Sequence, residues 1–139
     1  MSTVNSPARL LRVALRANAA FSTLSALAFL TLSGPIAAFV GAMGGRDVVI
    51  LGVQLGIFAF WLWWLAARPA IPRWQVWVII ALDILWVVGS FQTVLAPPPA
   101  LTTGGKWAIA MVADVVGLFA LLQFIGVRRL RKPALTAAG

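Results

Sequence analysis

The sequence predicts an all-α membrane protein, an antiparallel bundle of four transmembrane helices that form one domain over residues 1–139. Hydrophobic residues make up 62% of the chain and charged residues 10%. With a mean hydropathy of +0.99, too little polar surface remains to cover a water-soluble domain of this size. The apolar residues fall into four runs of about 20 residues or more, the length that crosses a hydrocarbon core of about 30 Å.

The four runs are predicted to span the membrane as residues 17–41, 48–67, 74–95 and 106–127. Before the first run, Ser6 and Pro7 are typical of the start of a helical arm. The first run contains Gly34-Pro35, which a membrane helix tolerates as a kink. A charged arm followed by an apolar run is also typical of a secretory signal peptide. Because this run is long enough to span, we expect it to be retained and the mature chain to begin at or near its first residue.

Three short loops join the four runs, and the basic residues follow the topology that results. Nine of the eleven Lys and Arg residues lie in the arm, the second loop and the tail, namely Arg9, Arg12, Arg16, Arg68, Arg73, Arg128, Arg129, Arg131 and Lys132. Only Arg46 and Lys106 lie in the first and third loops. By the positive-inside rule, both termini are predicted to be cytoplasmic.

The net charge of +8 is explained by this topology, so no nucleic-acid partner is predicted. A surface that follows phosphates needs basic residues gathered on a folded face. The basic tail consists of Arg128, Arg129, Arg131 and Lys132. We predict that it determines topology, and it is also a candidate for contact with anionic lipid headgroups, at about 1 kcal/mol per residue.

Small residues recur in the second and fourth spans when the two are aligned at an offset of 61 residues. Gly52 and Gly56 then fall on Ala113 and Gly117. Since helices in lipid associate through close backbone approach, these four residues are predicted to lie at helix contacts. The alignment is consistent with a tandem repeat of two-span hairpins or with chance similarity between apolar helices. At an offset of 65, Asn18 falls on Asp83, and a true repeat predicts that these two side chains face each other.

Two carboxyl groups, Asp83 and Asp114, lie inside the third and fourth spans. At ~1.5 Å per residue they are roughly 13 Å and 12 Å from the ends of their spans, near the bilayer midplane. A charged Asp there costs at least about 3 kcal/mol, so we expect each to be protonated, hydrogen-bonded inward or open to water. The available neutral partners are Asn18, Ser22, Ser25, Gln54, Ser90, Gln92 and Gln123. The predicted polar site combines the two aspartates with Asn18, Gln54, Ser25 and Ser90.

Two roles for this site follow from its chemistry. In one, Asp83 and Asp114 form a proton-titrating or cation-binding pair at the midplane. In the other, they are neutral acids that join helices, each worth about 1 kcal/mol. Enzymatic roles are disfavoured because the chain has no Cys, His, Tyr or Glu. This removes thiol nucleophiles, imidazole acid-base chemistry and metal ligation by His or Cys, and no cofactor or metal is predicted.

The pattern as a whole resembles a known group of proteins. With its four spans, Ala-Leu-Asp-Ile-Leu-Trp-Val-Val-Gly-Ser at 81–90 and Phe-Ala-Leu-Leu-Gln at 119–123, the chain resembles small bacterial four-span inner-membrane proteins of unknown function. The resemblance implies the architecture and the bacterial cytoplasmic membrane, and no activity. We predict an accessory or scaffold protein that acts through contacts with lipid, another membrane protein or a second copy of itself. The alternative is a small proton- or cation-coupled transporter that uses Asp83 and Asp114.

Overall fold

A computed structural model describes residues 6–130 of the protein, with side chains from residue 8 onward. In this part of the chain all regular structure is helical: α1 (Ser6–Thr31), α2 (Ser33–Val40), α3 (Gly45–Ala67), α4 (Arg73–Leu95) and α5 (Thr103–Arg129). The four longer helices are long and apolar enough to cross a membrane. The predicted all-α four-helix bundle is thus confirmed, and the protein is a multi-pass membrane protein.

The ends of the bundle differ in chemistry. One end, called here the basic end, carries the start of α1, the α3–α4 loop and the end of α5, with Arg9, Arg12, Arg68, Arg73, Arg128 and Arg129, and Arg16 follows Arg12 one turn further along α1. The opposite end, called the far end, carries α2 and the α4–α5 loop. The described helices therefore alternate in direction, as the short loops predict.

The predicted first span, residues 17–41, is wrong at both of its ends. The helix that can span is Ala8–Thr31, and Ser33–Val40 forms the separate helix α2. Pro35 lacks a backbone N–H and fits the first turn of a new helix, so Gly34-Pro35 begins α2 instead of kinking α1. The arm thus belongs to the span, and Asn18 lies near its middle. The other three spans agree with the prediction to within three residues.

Side-chain and backbone caps fix the starts of two spans. Before α3, the N–H of Gly44 donates to Oδ2 of Asp47 at 2.9 Å. Before α5, Oγ1 of Thr102 accepts the N–H of Gly105 at 2.9 Å, and the Thr102 N–H donates to the carbonyl of Val40 at 3.0 Å. These bonds satisfy N–H groups that the first turn of a helix leaves without a partner. The last of them also ties the start of α5 to the end of α2.

The helices pack in the spatial order α3, α1, α5, α4, because α1 contacts both α3 and α5, and α4 contacts α5. No Cα atoms of α3 and α4 lie within 8 Å of each other. These two helices meet through side chains, as where Nε1 of Trp61 donates to Oε1 of Gln75 at 2.9 Å. A twofold repeat of hairpins requires α4 to pack on α3 as α1 packs on α5. The packing of the described helices is asymmetric, and the repeat stays a prediction about the sequence.

The small residues predicted at helix contacts lie in two interfaces. A Cβ atom on Gly52 would lie 3.0 Å from Cγ of Leu30 in α1, so α1 and α3 approach closely there. Gly56 also faces α1, at Ala26, and Gly117 faces Val87 of α4. Ala113 is buried on α5.

The largest group of buried apolar side chains lies toward the basic end. It joins all four long helices and comprises Leu11, Leu15, Ala19, Leu62, Leu65, Ala66, Val76, Ile79, Ile80 and Val127. Between this core and the far end, α4 is buried only along the side that packs toward α5, and its other side chains are exposed. The main apolar core therefore lies toward the basic end, and Asn18, Asp83 and Gln123 lie at its border.

Candidate functional site

Four polar side chains form one buried group, called here the polar cluster: Asn18, Ser22, Asp83 and Gln123. Each is at most 3% exposed. Nδ2 of Asn18 and Nε2 of Gln123 both donate to Oδ2 of Asp83, each at 2.9 Å. Asn18 Nδ2 also donates to Oε1 of Gln123 at 3.3 Å, and Ser22 Oγ donates to Oδ1 of Asn18 at 3.3 Å.

Three helices bring these residues together, with Asn18 and Asp83 near the middle of their spans and Gln123 six residues before the end of α5. Asn18 and Ser22 are one turn apart on α1 and so lie on one face. Asp83 comes from α4 and Gln123 from α5. Counting ~1.5 Å per residue, Asn18 lies about 15 Å from the start of its span and Asp83 about 15 Å from the start of α4. Because α1 and α4 have no Cα atoms within 8 Å of each other, the side chains of the cluster are what links them at this depth.

The chemistry of the polar cluster is that of neutral donors around one acid. The amide groups of Asn18 and Gln123 supply every hydrogen bond that Asp83 receives within the described residues, and both bonds reach the same oxygen, Oδ2. Over residues 6–130 no fully buried side-chain nitrogen or oxygen lacks a partner, and no group of three His, Cys, Asp or Glu residues is placed to hold a metal ion. The arrangement fixes the register of three helices, because an unpaired amide at this depth is costly.

Asp114 does not join the polar cluster, although the sequence predicts it there. It is exposed on α5, nine residues before Gln123. Nine residues are two and a half turns of an α-helix, so the two side chains leave α5 on opposite faces and about 13 Å apart along its axis. Asp83 and Asp114 therefore form no pair within the described chain, and they differ in depth by about 13 Å, contrary to the prediction that both lie near the midplane.

The other predicted members of the site are also apart from the polar cluster. Gln54 is exposed on α3, Ser25 is half-buried on α1, and Ser90 is buried two turns beyond Asp83 on α4. The sequence prediction omits two members, Ser22 and Gln123, although both are among its candidate partners. Gln123 shares a face with the buried Val116 and Ala120, and this spacing was the available signal for it.

At the basic end, Arg12 is bound by the last turn of α3. Nη1 of Arg12 donates to the carbonyl of Ala66 at 2.5 Å and to that of Arg68 at 2.8 Å. Nη2 donates to the carbonyl of Pro69 at 3.4 Å. The last carbonyls of a helix have no partner inside it and carry partial negative charge. Arg12 thus caps α3.

We expect Arg12→Leu to lower the free energy of unfolding by about 1.5 kcal/mol, because it removes charge-assisted bonds to these carbonyls. Arg16→Leu is the matched control, since Arg16 is exposed on the same helix, and its effect is expected to stay within about 0.5 kcal/mol. Unfolding by sodium dodecyl sulfate in mixed micelles, followed by tryptophan fluorescence, measures both. Equal losses in the two variants contradict the capping role.

Two of the four residues predicted to contact lipid headgroups lie in the described part of the chain. Arg128 and Arg129 are exposed at the end of α5, and the Arg128 guanidinium lies 5.5 Å from the centre of the Phe124 ring. Arg131 and Lys132 lie outside the described residues.

An apolar groove runs between α4 and α5 on the outside of the bundle. Its volume is about 270 Å³, and it is lined by Ile80, Ile84, Val87, Gly117, Ala120, Leu121 and Phe124. The groove offers no polar group for a solute. Its shape and lining suit an apolar side chain or an acyl chain.

Comparisons with protein-family models, with curated proteins and with solved structures give no match for this chain.

Proposed function

We propose that the protein is a small accessory protein of a bacterial cytoplasmic membrane, which acts through contacts between its membrane-embedded helix faces and a membrane protein. The distribution of basic residues supports an orientation with the basic end in the cytoplasm. Over residues 6–130 the bundle has short loops and one short helix, α2, beside the four helices that can span the membrane. Its contacts are therefore made mainly within the bilayer.

The exposed carboxyl group of Asp114 carries this proposal. It lies eleven residues into α5, about 16 Å from the start of that helix, on a surface that faces hydrocarbon in an isolated bundle. A charged Asp costs about 3 kcal/mol at the centre of a span, and charged residues inside a span normally face protein or a water-filled cavity. A hydrogen-bonding side chain from another membrane protein removes this cost, which supports a protein contact at this face.

Proton- or cation-coupled transport remains the second candidate, favoured by the position of Asp83 at mid-span. Three features weigh against it. The carboxyl group of Asp83 is enclosed by the polar cluster, and the groove on α4 and α5 is apolar. The two aspartates also lie on opposite faces of the structure formed by α4 and α5. A carrier needs a site that solute reaches from each side, and the polar cluster instead ties helices together.

A flux assay separates the two functions. The wild type, Asp83→Asn and Asp114→Asn are reconstituted in liposomes that contain a pH-sensitive dye, and proton flux is followed after a potassium gradient is imposed. We expect no variant to exceed protein-free liposomes. A wild-type flux that a folded Asp83→Asn variant abolishes overturns the accessory function, and repeating the assay with sodium covers cation coupling.

Photocrosslinking in native membranes tests the contact directly. A photoreactive amino acid at Leu118, one turn from Asp114 and 53% exposed, is expected to give a discrete protein adduct. The same group at Leu24, which is 68% exposed on α1, serves as the control and is expected to label lipid alone. Lipid labelling alone at both positions contradicts a protein contact on α5.

A further inference from the structure

Two polar side chains and the apolar groove share one outer surface, called here the α4–α5 face. Gln92 on α4 and Asp114 on α5 are both exposed there. Around them the exposed side chains are large and apolar, including Ile84, Leu118 and Leu121. An amide donor and a carboxyl acceptor thus stand on a surface that is otherwise suited to hydrocarbon.

Gln92 and Asp114 lie at the same depth. Asp83 of α4 is level with Gln123 of α5, since their side chains are joined by a 2.9 Å hydrogen bond. Gln92 is nine residues from Asp83 toward the far end, and Asp114 is nine residues from Gln123 in the same direction. At ~1.5 Å per residue both lie about 13 Å beyond the polar cluster.

This equality of depth makes the α4–α5 face self-complementary. A twofold axis along the membrane normal leaves the depth of every residue unchanged. If this axis passes through the centre of the α4–α5 face, α4 of one copy packs against α5 of the other. Gln92 of each copy then meets Asp114 of the other, and its amide N–H donates to the carboxyl oxygen. One symmetric contact thus forms two hydrogen bonds, so that Gln92 and Asp114 have a partner in each copy. Side chains of the second copy cover the apolar groove.

We propose that the α4–α5 face is a homodimer interface held by two reciprocal Gln92–Asp114 hydrogen bonds. This inference rests on the proposed function, and it identifies the partner at Asp114 as a second copy of the chain. Lipid does not fill this role, because the hydrocarbon core holds no hydrogen-bond donor. The exposed Gln54 on α3 lies on a different helix from either member of the pair and provides a matched control.

Dimerisation is measured by single-molecule photobleaching in liposomes over a range of protein-to-lipid ratios. Because the chain has no cysteine, one dye is attached at Ala70→Cys in the exposed α3–α4 loop. We expect a dimer whose dissociation constant rises about tenfold in Gln92→Leu and in Asp114→Leu, because either change removes both bonds of the symmetric pair. Gln54→Leu is expected to leave the constant unchanged.

The double variant Gln92→Asp/Asp114→Gln exchanges donor and acceptor, and we expect it to restore the dissociation constant to within about threefold of wild type. Monomers at every protein-to-lipid ratio overturn the proposal. It is also overturned if Gln54→Leu raises the dissociation constant as much as Gln92→Leu, or if the double variant dimerises no more tightly than the single variants. Circular dichroism of each variant verifies its helix content before these comparisons.

Disulfide crosslinking provides a second measurement, which does not depend on a variant that weakens the dimer. Copies with Gln92→Cys and copies with Asp114→Cys carry different tags and are mixed in one liposome population. The mixed disulfide is expected to form faster than either like-with-like disulfide, and faster like-with-like crosslinking overturns the proposed pairing. If the protein is monomeric in liposomes but a photoreactive group at Leu118 captures a different protein, the homodimer is contradicted and the proposed function is not. If proton flux depends on Asp83, the proposed function itself is contradicted.

Discussion

Asp83→Leu is expected to lower the free energy of unfolding by about 2 to 3 kcal/mol, because Asn18 and Gln123 both lose their acceptor. Their amide groups are at most 1% exposed, so neither gains a bond to water in exchange. Asp83→Asn keeps a carbonyl oxygen and is expected to lose about 1 kcal/mol. Reversible unfolding by sodium dodecyl sulfate in mixed micelles, followed by circular dichroism, measures the differences.

Asp114→Leu provides the matched control for this result. It is the same chemical change within a predicted span, but on an exposed side chain, and in micelles dilute enough to hold monomers it is expected to change stability by less than about 0.5 kcal/mol. If Asp83→Leu and Asp114→Leu lose equal stability, the polar cluster is not what stabilises the bundle.

Gly41→Ala is expected to destabilise the protein by about 3 kcal/mol. Gly41 ends α2 with φ of +83°, a left-handed conformation that costs other residues about 1 kcal/mol or more. A Cβ atom there would also overlap the carbonyl oxygen of Ala100, so the α4–α5 loop has to move, at a typical cost of about 1 to 3 kcal/mol. The same unfolding assay measures the loss.

The comparison variant is Gly34→Ala, seven residues earlier in α2. A Cβ atom on Gly34 meets no heavy atom within 4 Å, and alanine favours a helix over glycine by about 1 kcal/mol. We therefore expect this variant to be as stable as wild type or slightly more so. A loss in Gly34→Ala that matches the loss in Gly41→Ala shows that the contact with Ala100 is unimportant.

Hydropathy predicts the class and three of the four spans because each of those apolar runs ends at residues that stop a helix or prefer water, such as Pro72 before α4. The first span was misplaced for two physical reasons. Hydropathy does not tell a kink at Pro35 from the start of a new helix. It also assigns Arg12 to water, whereas carbonyl groups at the end of α3 bind its guanidinium. Both depend on contacts between distant segments.

Part of the polar cluster is also predictable from the sequence, and the rest again depends on contacts between distant segments. The alignment of Asn18 with Asp83 anticipates a contact that exists, a 2.9 Å hydrogen bond. It does not anticipate Gln123, which completes the polar cluster, or the outward position of Asp114. Helix geometry puts these two α5 residues on opposite faces, but which face is buried depends on where α1 and α4 pack. That information is not in the local sequence.

The long separations within the polar cluster have a consequence for biogenesis. Asn18 bonds to residues 65 and 105 positions later in the chain, so the first helix leaves the ribosome with an amide whose partners have not yet been synthesised. The early hairpin of α1 and α3 has to hold that group in the bilayer without them. Final assembly therefore waits for the last helix, and a nascent chain arrested before α5 keeps its central amide and acid incompletely paired.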